Sequence, residues 1–385
     1  MPPSSEHGRQ PIASPRVAIV GTGGIAKAHI RALGSLPSVD VVAAVDPVSE
    51  RVTAYAEEHG IGATYAELDD LLASPDKPDV VHLCTPPGLH ADHAVAALEA
   101  GVHVVCEKPP VLTMAELERI QRTEVLGGHW FTTIFQHRFG SAAQHLRRLM
   151  SEGVLGKPRV AVCHTLWHRP EAYYDVPWRG NWELEGGGPT LGHGVHQIDL
   201  LAYLLGEWTE VTGTAVRLAR PIETEDVSMA HVAFASGALA SVVTSVLSPR
   251  EESYLRFDFD NATVEVSHLY GYTDSNWTIT KAKHVDEADG AAWQLSGEPQ
   301  PSGHAAQLAQ VYAALAAGSR PEADSDSALQ TMALVTGIYA SAWTNQPVRS
   351  ADLTDKSPFH AMLPGTSDRP VPASPGPLHP DREES

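Results

Sequence analysis

The chain is 385 residues long and carries a formal net charge of −20. That length exceeds what one hydrophobic core usually serves, so two domains are expected; the charge argues against binding nucleic acid or an anionic membrane through bulk electrostatics. Three cysteines, Cys84, Cys106 and Cys163, sit in apolar strand-like runs without CxxC spacing, which points to buried thiols in a reducing, cytoplasmic setting rather than a disulfide framework.

Residues 1–15, MPPSSEHGRQPIASP, are polar and proline-rich and are expected to be a disordered N-terminus. From 16 to 138 strand and helix signals alternate. Val17 to Val20 is a buried strand, 24–33 a helix, 39–46 a strand, 48–60 a helix closed by Gly60, and 78–85 a strand. A helix from His90 to Glu99, a strand at 102–107, a helix at 113–126 and a strand at 129–136 follow. Continuous apolar strands between amphipathic helices specify a parallel sheet covered on both faces, a doubly wound α/β domain of the Rossmann kind.

From 139 to 350 the pattern changes. Stretches 157–168, 209–219, 227–247, 254–269 and 276–280 alternate in polarity, with helices at about 141–152, 190–205, 304–317 and 325–343. This predicts an α+β domain built on a large, mostly antiparallel open sheet. Residues 351–385, dense in Pro, Ser and charge, are expected to be a disordered tail. No stretch is long and apolar enough to span a bilayer.

The first strand runs into Gly21-Thr22-Gly23-Gly24-Ile25-Ala26, the pattern G-x-G-x-x-A, and a helix follows. Gly21 suits the tight turn, Gly23 the close approach of a pyrophosphate, and Ala26 close helix-to-strand packing; Gly24 and Ile25 open the helix whose N-terminus favours phosphate. Asp46 closes the second strand, near the roughly 20-residue spacing expected of a ribose-binding carboxylate. It would accept ribose hydroxyls and repel a 2′-phosphate, favouring NAD, while nearby Arg51 leaves NADP open.

The segment 84-CTPPGLHADHAVAALEAGVHVVCEKPP-110 is the most specific in the chain. Thr85-Pro86 ends one strand, His90 begins a helix, and Glu107-Lys108-Pro109 ends the next strand, so both ends emerge at the carboxyl edge of the sheet, where open α/β folds bind ligands. T-P-x-x-x-H followed by E-K-P, after a GxGxxA strand, resembles the glucose-fructose oxidoreductase/inositol dehydrogenase (Gfo/Idh/MocA) family. The resemblance runs to about residue 350 and includes 136-QHRF-139 and 186-GGGPTLGHGVHQIDLL-201.

The resemblance implies that Lys108 lies beside the nicotinamide and contacts the substrate oxygen, with a pKa lowered by the like charge. Thr85, Pro86, His90, Glu107 and Gln136 would line the cofactor. His196 matches the family's histidine after the GGG, and as a neutral imidazole it could take the hydroxyl proton. His193 and His196, on a helix starting near Thr190, would share a face. Many members of the family carry Asp four residues before this histidine, forming a Lys/Asp/His set, but here that position is Gly192. Asp199, one turn after His196, offers a substitute carboxylate, and the departure points to a changed substrate.

The loop 167-WHRPEAYYDVPWRGNWELEGGG-188 is rich in aromatics and arginine. Sugars stack on aromatic faces and Arg forks onto hydroxyls or carboxylates, so Trp178 and Arg179, then His168 and Tyr174, are candidate substrate contacts, with His193. No metal is expected: His164 and His168 share a strand face but lie ~13 Å apart at ~3.3 Å per residue.

These readings converge on an NAD-dependent oxidoreductase moving hydride between nicotinamide and a secondary alcohol of a sugar, inositol or related polyol. The resemblance implies a homodimer or homotetramer assembled through the open sheet. Two other readings stay open: tightly held NAD that oxidises and re-reduces one substrate for net hydrolysis, elimination or epimerisation, and a non-catalytic NAD-binding sensor.

Overall fold

The computed structural model describes residues 11–364. The chain divides into two compact units. The first takes residues up to 151 together with 271–277 and 295–331; the second takes 152–270, 278–294 and residues from 332 onward. The split at 138 expected from the sequence follows the order of motifs, whereas the first unit is assembled from three separate stretches.

The first unit holds β1 (Arg16–Val20), α1 (Ala26–Leu33), β2 (Asp40–Val45), α2 (Ser49–His59), β3 (Ala63–Tyr65), α3 (Leu68–Leu72), β4 (Val80–Leu83), α4 (His90–Glu99), β5 (His103–Cys106), α5 (Met114–Gly127), β6 (Phe131–Thr133) and α6 (Ser141–Ser151). The strands form one parallel sheet in the order β3-β2-β1-β4-β5-β6, whose reversal falls between β1 and β4. β4 and β5 are buried at every position, as strands covered on both faces must be. Helix ends follow local chemistry. Thr113 and Glu116 form a reciprocal capping box at the start of α5, and Gly60 and Gly128 close α2 and α5 in the left-handed region.

The core of this unit joins Val17, Ile19, Ala44, Val80 and Val105 of the sheet to Ala26 and Leu33 of α1. Leu308, Val311 and Leu315 of the helix His304–Ala316 complete it, so a segment late in the chain closes a core begun by the first strand. The N–H of Ile12 donates to Leu315 O at 3.1 Å, so the described part of the expected disordered N-terminus is tied to that helix.

The second unit is built on an eight-stranded sheet of β7 (Pro158–His168), β8 (Trp208–Val216), β9 (Val227–Phe234), β10 (Leu239–Ser245), β11 (Leu247–Phe259), β12 (Ala262–Ser267), β13 (Trp277–Lys281) and β14 (Val348–Arg349), ordered β13-β12-β11-β7-β10-β9-β8-β14. β7 and β10 run parallel; β8–β9, β9–β10, β7–β11, β11–β12 and β8–β14 are antiparallel. Burial alternates along β9 and β11, so one face is covered.

The helix expected to begin near Thr190 is two helices, α7 (Pro189–Gly192) and the fully buried α8 (Val195–Leu205). The break falls at His193-Gly194, where a side chain on residue 194 would lie 2.6 Å from Thr244 Cγ2 and 3.1 Å from Pro189 O. The described part of the tail expected from 351 is ordered. A short helix spans Pro358–Ala361, and Leu353, Phe359 and Leu363 are buried, because these apolar residues anchor the proline-rich segment. The remainder of both expected disordered ends, residues 1–10 and 365–385, lies outside the described residues.

Candidate active site

In the first unit the turn after β1 is shaped by close approach. Gly21 has φ +88°, and a Cβ there would lie 2.8 Å from Cys84 O, so a side chain would collide with the end of β4. Gly23 and Gly24 are the opposite case, with no atom within 4 Å of where a Cβ would stand. No side chain caps the N-terminus of α1, where Ile25 is the cap residue and buried Ala26 the first helical residue. The hydroxyl of Thr85, at the end of β4, is buried and has no hydrogen-bond partner among the described residues. Open glycine backbone, an uncapped helix start and an orphaned hydroxyl fit the pyrophosphate and ribose of a dinucleotide.

Asp46 is buried at 3% exposure. Its Oδ2 accepts the N–H and hydroxyl of Thr22, both at 3.0 Å, and lies 3.2 Å from Arg51 Nη1, while Oδ1 accepts the Val48 N–H at 3.0 Å. Burial pushes its carboxyl up, but the hydrogen bonds from Thr22 and Val48 and the Arg51 guanidinium outweigh this and hold it below the usual range. The carboxylate therefore braces the glycine turn in addition to any ribose contact.

His90 is buried, with Nε2 at 2.8 Å from Thr85 O and Nδ1 at 2.9 Å from Pro109 O. It ties the end of β4 to the segment after β5. Burial lowers its pKa, so the imidazole is neutral and donates to one of the two carbonyls. Pro86 precedes a 3-10 turn at Pro87–Leu89, and Gln136 opens another at Gln136–Phe139 and is buried.

Lys108, half-buried, follows β5, and its N–H donates to Glu107 Oε2 at 3.1 Å. Glu107 ends a buried chain absent from the sequence expectations. Its Oε1 lies 2.9 Å from His29 Nε2 and 2.7 Å from His304 Nε2; His29 Nδ1 lies 2.7 Å from His82 Nδ1, and His82 Nε2 lies 2.8 Å from Tyr312 OH. One set of tautomers satisfies every bond with Glu107 ionised. Tyr312 O–H donates to His82, His82 Nδ1–H to His29 Nδ1, and both His29 and His304 donate through Nε2–H to Glu107.

The pKa directions agree with that assignment. Burial raises Glu107, but hydrogen bonds from His29 and His304 carry it well below the carboxylate range; burial lowers His29 and sends His82 further down. His29, Glu107 and His304 are also the one group among the described residues with the make-up of a metal site. The 2.7 and 2.9 Å separations are hydrogen bonds, closer than the ~3.3 Å between neighbouring ligands around a tetrahedral ion at ~2.0–2.1 Å.

In the second unit, His196 on α8 is buried, with Nε2 3.3 Å from Tyr270 OH and the two rings edge to face. His193, at the break between α7 and α8, belongs to a different cluster. Its Nε2 accepts Arg169 Nε–H at 3.2 Å and lies 3.3 Å from Tyr173 OH, and its ring packs edge-on to Trp167. The helix break thus separates the two histidines expected to share one face.

Arg169 also donates to His168 O and to Glu251 at 3.1 Å, with its guanidinium over Trp167 and Tyr173. Arg179 sits over Tyr173 at 3.9 Å and Trp178 at 4.2 Å, and its Nη1 is bonded to Tyr173 OH and 3.4 Å from Glu185. Tyr174 packs edge to face on Tyr173. His168 is exposed at the end of β7, 3.4 Å from Arg220.

Cation stacking and hydrogen bonds therefore order much of this aromatic loop. Trp182 serves packing, against Tyr339 and Trp343. Arg169, Tyr173, Glu185 and Tyr270 were not singled out from the sequence, although Arg169, Tyr173 and Glu185 lie within the loop it quoted. Asp199 is fully buried within α8.

The triple glycine ahead of α7 has a packing cause. A Cβ on Gly187 would lie 2.5 Å from Tyr339 OH and one on Gly188 1.9 Å from Glu225 O. Buried Glu225 accepts the Gly188 and Thr190 N–H groups at 3.0 and 3.1 Å and the Tyr339 O–H at 2.8 Å, holding the entry to α7.

The 3-2-1-4-5-6 sheet with an open glycine turn at its switch point defines a dinucleotide-binding protein of the Rossmann class. The chain belongs to the Gfo/Idh/MocA family of oxidoreductases: residues 15–132 match the oxidoreductase family, NAD-binding Rossmann fold, and residues 143–267 match the GFO/IDH/MocA C-terminal domain. D-glucoside 3-dehydrogenase of Escherichia coli (strain K12) is 31% identical over 298 residues, 71% of this chain and 83% of the relative. D-apiose dehydrogenase of Paraburkholderia graminis is 26% identical over 89% of this chain and 91% of its own length. Among solved structures, the WlbA dehydrogenase from Bordetella pertussis, in complex with NADH and UDP-GlcNAcA, superimposes with a TM-score of 0.80 at 28% identity, over 88% of this chain and 98% of that one.

Proposed function

We propose that this chain is an NAD-dependent dehydrogenase that oxidises a secondary alcohol of a sugar, inositol or related polyol. The observation that carries the reading is Lys108, fixed at the carboxyl edge of the sheet by its backbone bond to buried Glu107, on the strand next to the one that abuts the open glycine turn. Relatives named as sugar and inositol dehydrogenases support the substrate class. Asp46, which offers a carboxylate where NADP would bring a phosphate, favours NAD.

Each residue has a task in this reading. When bound, NAD supplies the nicotinamide ring that takes up hydride. Gly21, Gly23, Gly24, Ile25 and Ala26 cradle the pyrophosphate; Asp46, Thr85, Pro86, His90, Glu107 and Gln136 border the rest of the dinucleotide. Lys108 Nζ–H donates to the substrate oxygen. His196 accepts the hydroxyl proton at Nε2, the atom that now faces Tyr270 OH. His168, Tyr174, Trp178, Arg179 and His193 hold the polyol. We also propose a homodimer or homotetramer through the open sheet, where Val160, Met229 and Leu239 are about half exposed; a monomer by light scattering would remove this part.

The test is a panel of sugars, inositols and sugar acids with NAD or NADP, following reduced-nicotinamide absorbance, with Lys108→Ala and His196→Ala as controls. Turnover with NAD, lowered about 10²–10⁴-fold by either substitution, is expected. NAD binding with no reduced cofactor released from any substrate favours the redox-neutral enzyme or the sensor.

A further inference from the structure

Gly192 is the one position in the α7–α8 region whose glycine has no steric cause. Its φ is not positive, and leaving aside its own helix, the nearest atom to a Cβ built there is Glu185 Oε1 at 3.8 Å. Gly187, Gly188 and Gly194 all face collisions, so Gly192, where a Cβ would meet Glu185 Oε1 at ordinary contact distance, stands apart.

Glu185 fills that surrounding with a carboxylate delivered from the loop. It is 6% exposed, its Oε2 accepts the Gly180 N–H at 2.5 Å, and its Oε1 is turned toward both Arg179 Nη1 and the space before Gly192. Arg179 continues through Tyr173 OH to His193, and Arg169 links His193 to Glu251. A buried carboxylate with one oxygen anchored by backbone and the other beside an arginine is preorganised as an acceptor. In sequence the space it faces lies four residues before His196, across the break between α7 and α8.

We infer that Glu185 is a substrate-binding residue whose Oε1 accepts a hydroxyl of the polyol, supplying from the loop the carboxylate that the helix lacks at position 192. The inference rests on the polyol dehydrogenase reading. It makes the accepted ligand a neutral hydroxyl-rich group at this point, because a carboxylate or phosphate there would face Glu185. A site built to bond a hydroxyl also rejects the analogue lacking it.

The experiment uses the full chain and the sugar or inositol with the highest turnover in the panel. Glu185→Gln keeps an acceptor for Gly180 and removes the charge. It should lower kcat/KM on the order of 10- to 100-fold, the value of a hydrogen bond to a charged group, mostly through KM. Moving the carboxylate, Glu185→Ala with Gly192→Asp, should recover at least about tenfold over Glu185→Ala alone. One deoxy analogue of the substrate should lose in the wild type what Glu185→Gln loses, and lose no more in that variant. Wild-type turnover with kcat/KM unchanged in Glu185→Gln, or no recovery in the exchange while circular dichroism and melting match the wild type, would overturn the inference and leave the dehydrogenase reading intact. Absence of polyol turnover in the wild type instead overturns that reading, and the inference with it.

Discussion

The buried imidazoles of the first unit make its stability depend on pH in a definite direction. Burial holds His82 well below its usual pKa, and burial with the nearby Lys108 ammonium brings His137 down to about 3. In the unfolded chain both take up protons near pH 6.5. The unfolded state therefore binds more protons below that pH, and stability falls as pH drops from about 6.5 toward the folded values, by about 1.4 kcal/mol per pH unit for each histidine. Glu107, held below the carboxylate range, adds a further loss in the same direction at lower pH. Melting temperature measured from pH 7.5 to 5 should decline, and His137→Phe should flatten the slope; an unchanged slope would contradict the neutral buried imidazole. None of this could be read in advance, because His29, His82, Glu107, His304 and Tyr312 are scattered over the sequence with no local spacing, and only the fold gathers them.

At the level of elements, the glycines separate into those required by packing and those that leave space. Gly188→Ala drives a methyl into the Glu225 backbone and should destabilise the second unit by about 1–3 kcal/mol, whereas Gly192→Ala should stay within about 0.5 kcal/mol in denaturant titrations. Tyr339→Phe leaves the buried Glu225 carboxylate without one donor, at a cost of about 1–3 kcal/mol. Equal stability of Gly188→Ala and Gly192→Ala would refute this division. The Rossmann elements were legible because apolar runs, caps and glycine turns coincide there: Gly21 through Ala26 and the strand ends at Thr85 and Lys108 fall where the motif spacing puts them. β3 and α3, three and five residues long, carry too few positions to show a period. The break between α7 and α8 has a local mark in Gly192-His193-Gly194, but the steric reason for it at Gly194, Thr244, lies far along the chain.

For the whole molecule, ligand linkage gives a test that needs no substrate. NAD at about 100 times its dissociation constant should stabilise the unit that binds it by about 2.7 kcal/mol, and NADP at the same concentration should do less if Asp46 discriminates. Equal melting shifts for the two cofactors would mean that Arg51, 52% exposed beside Asp46, accommodates the extra phosphate. Among the described residues no helix is long and apolar enough to cross a membrane, and Cys84, Cys106 and Cys163 are buried thiols, as their apolar surroundings in the sequence suggested.

The three-part make-up of the first unit also sets an order in time. A ribosome delivers β1 through α6 first, then most of the eight-stranded sheet, and only afterwards the helix that carries His304, Leu308, Val311, Tyr312 and Leu315. Until then Glu107 lacks one of its two imidazole donors, His82 lacks its tyrosine, and one flank of the nucleotide-binding core is uncovered. The half of the protein written first is finished late, so a nascent chain halted near residue 270 holds the glycine turn and Lys108 without the helix that completes their support.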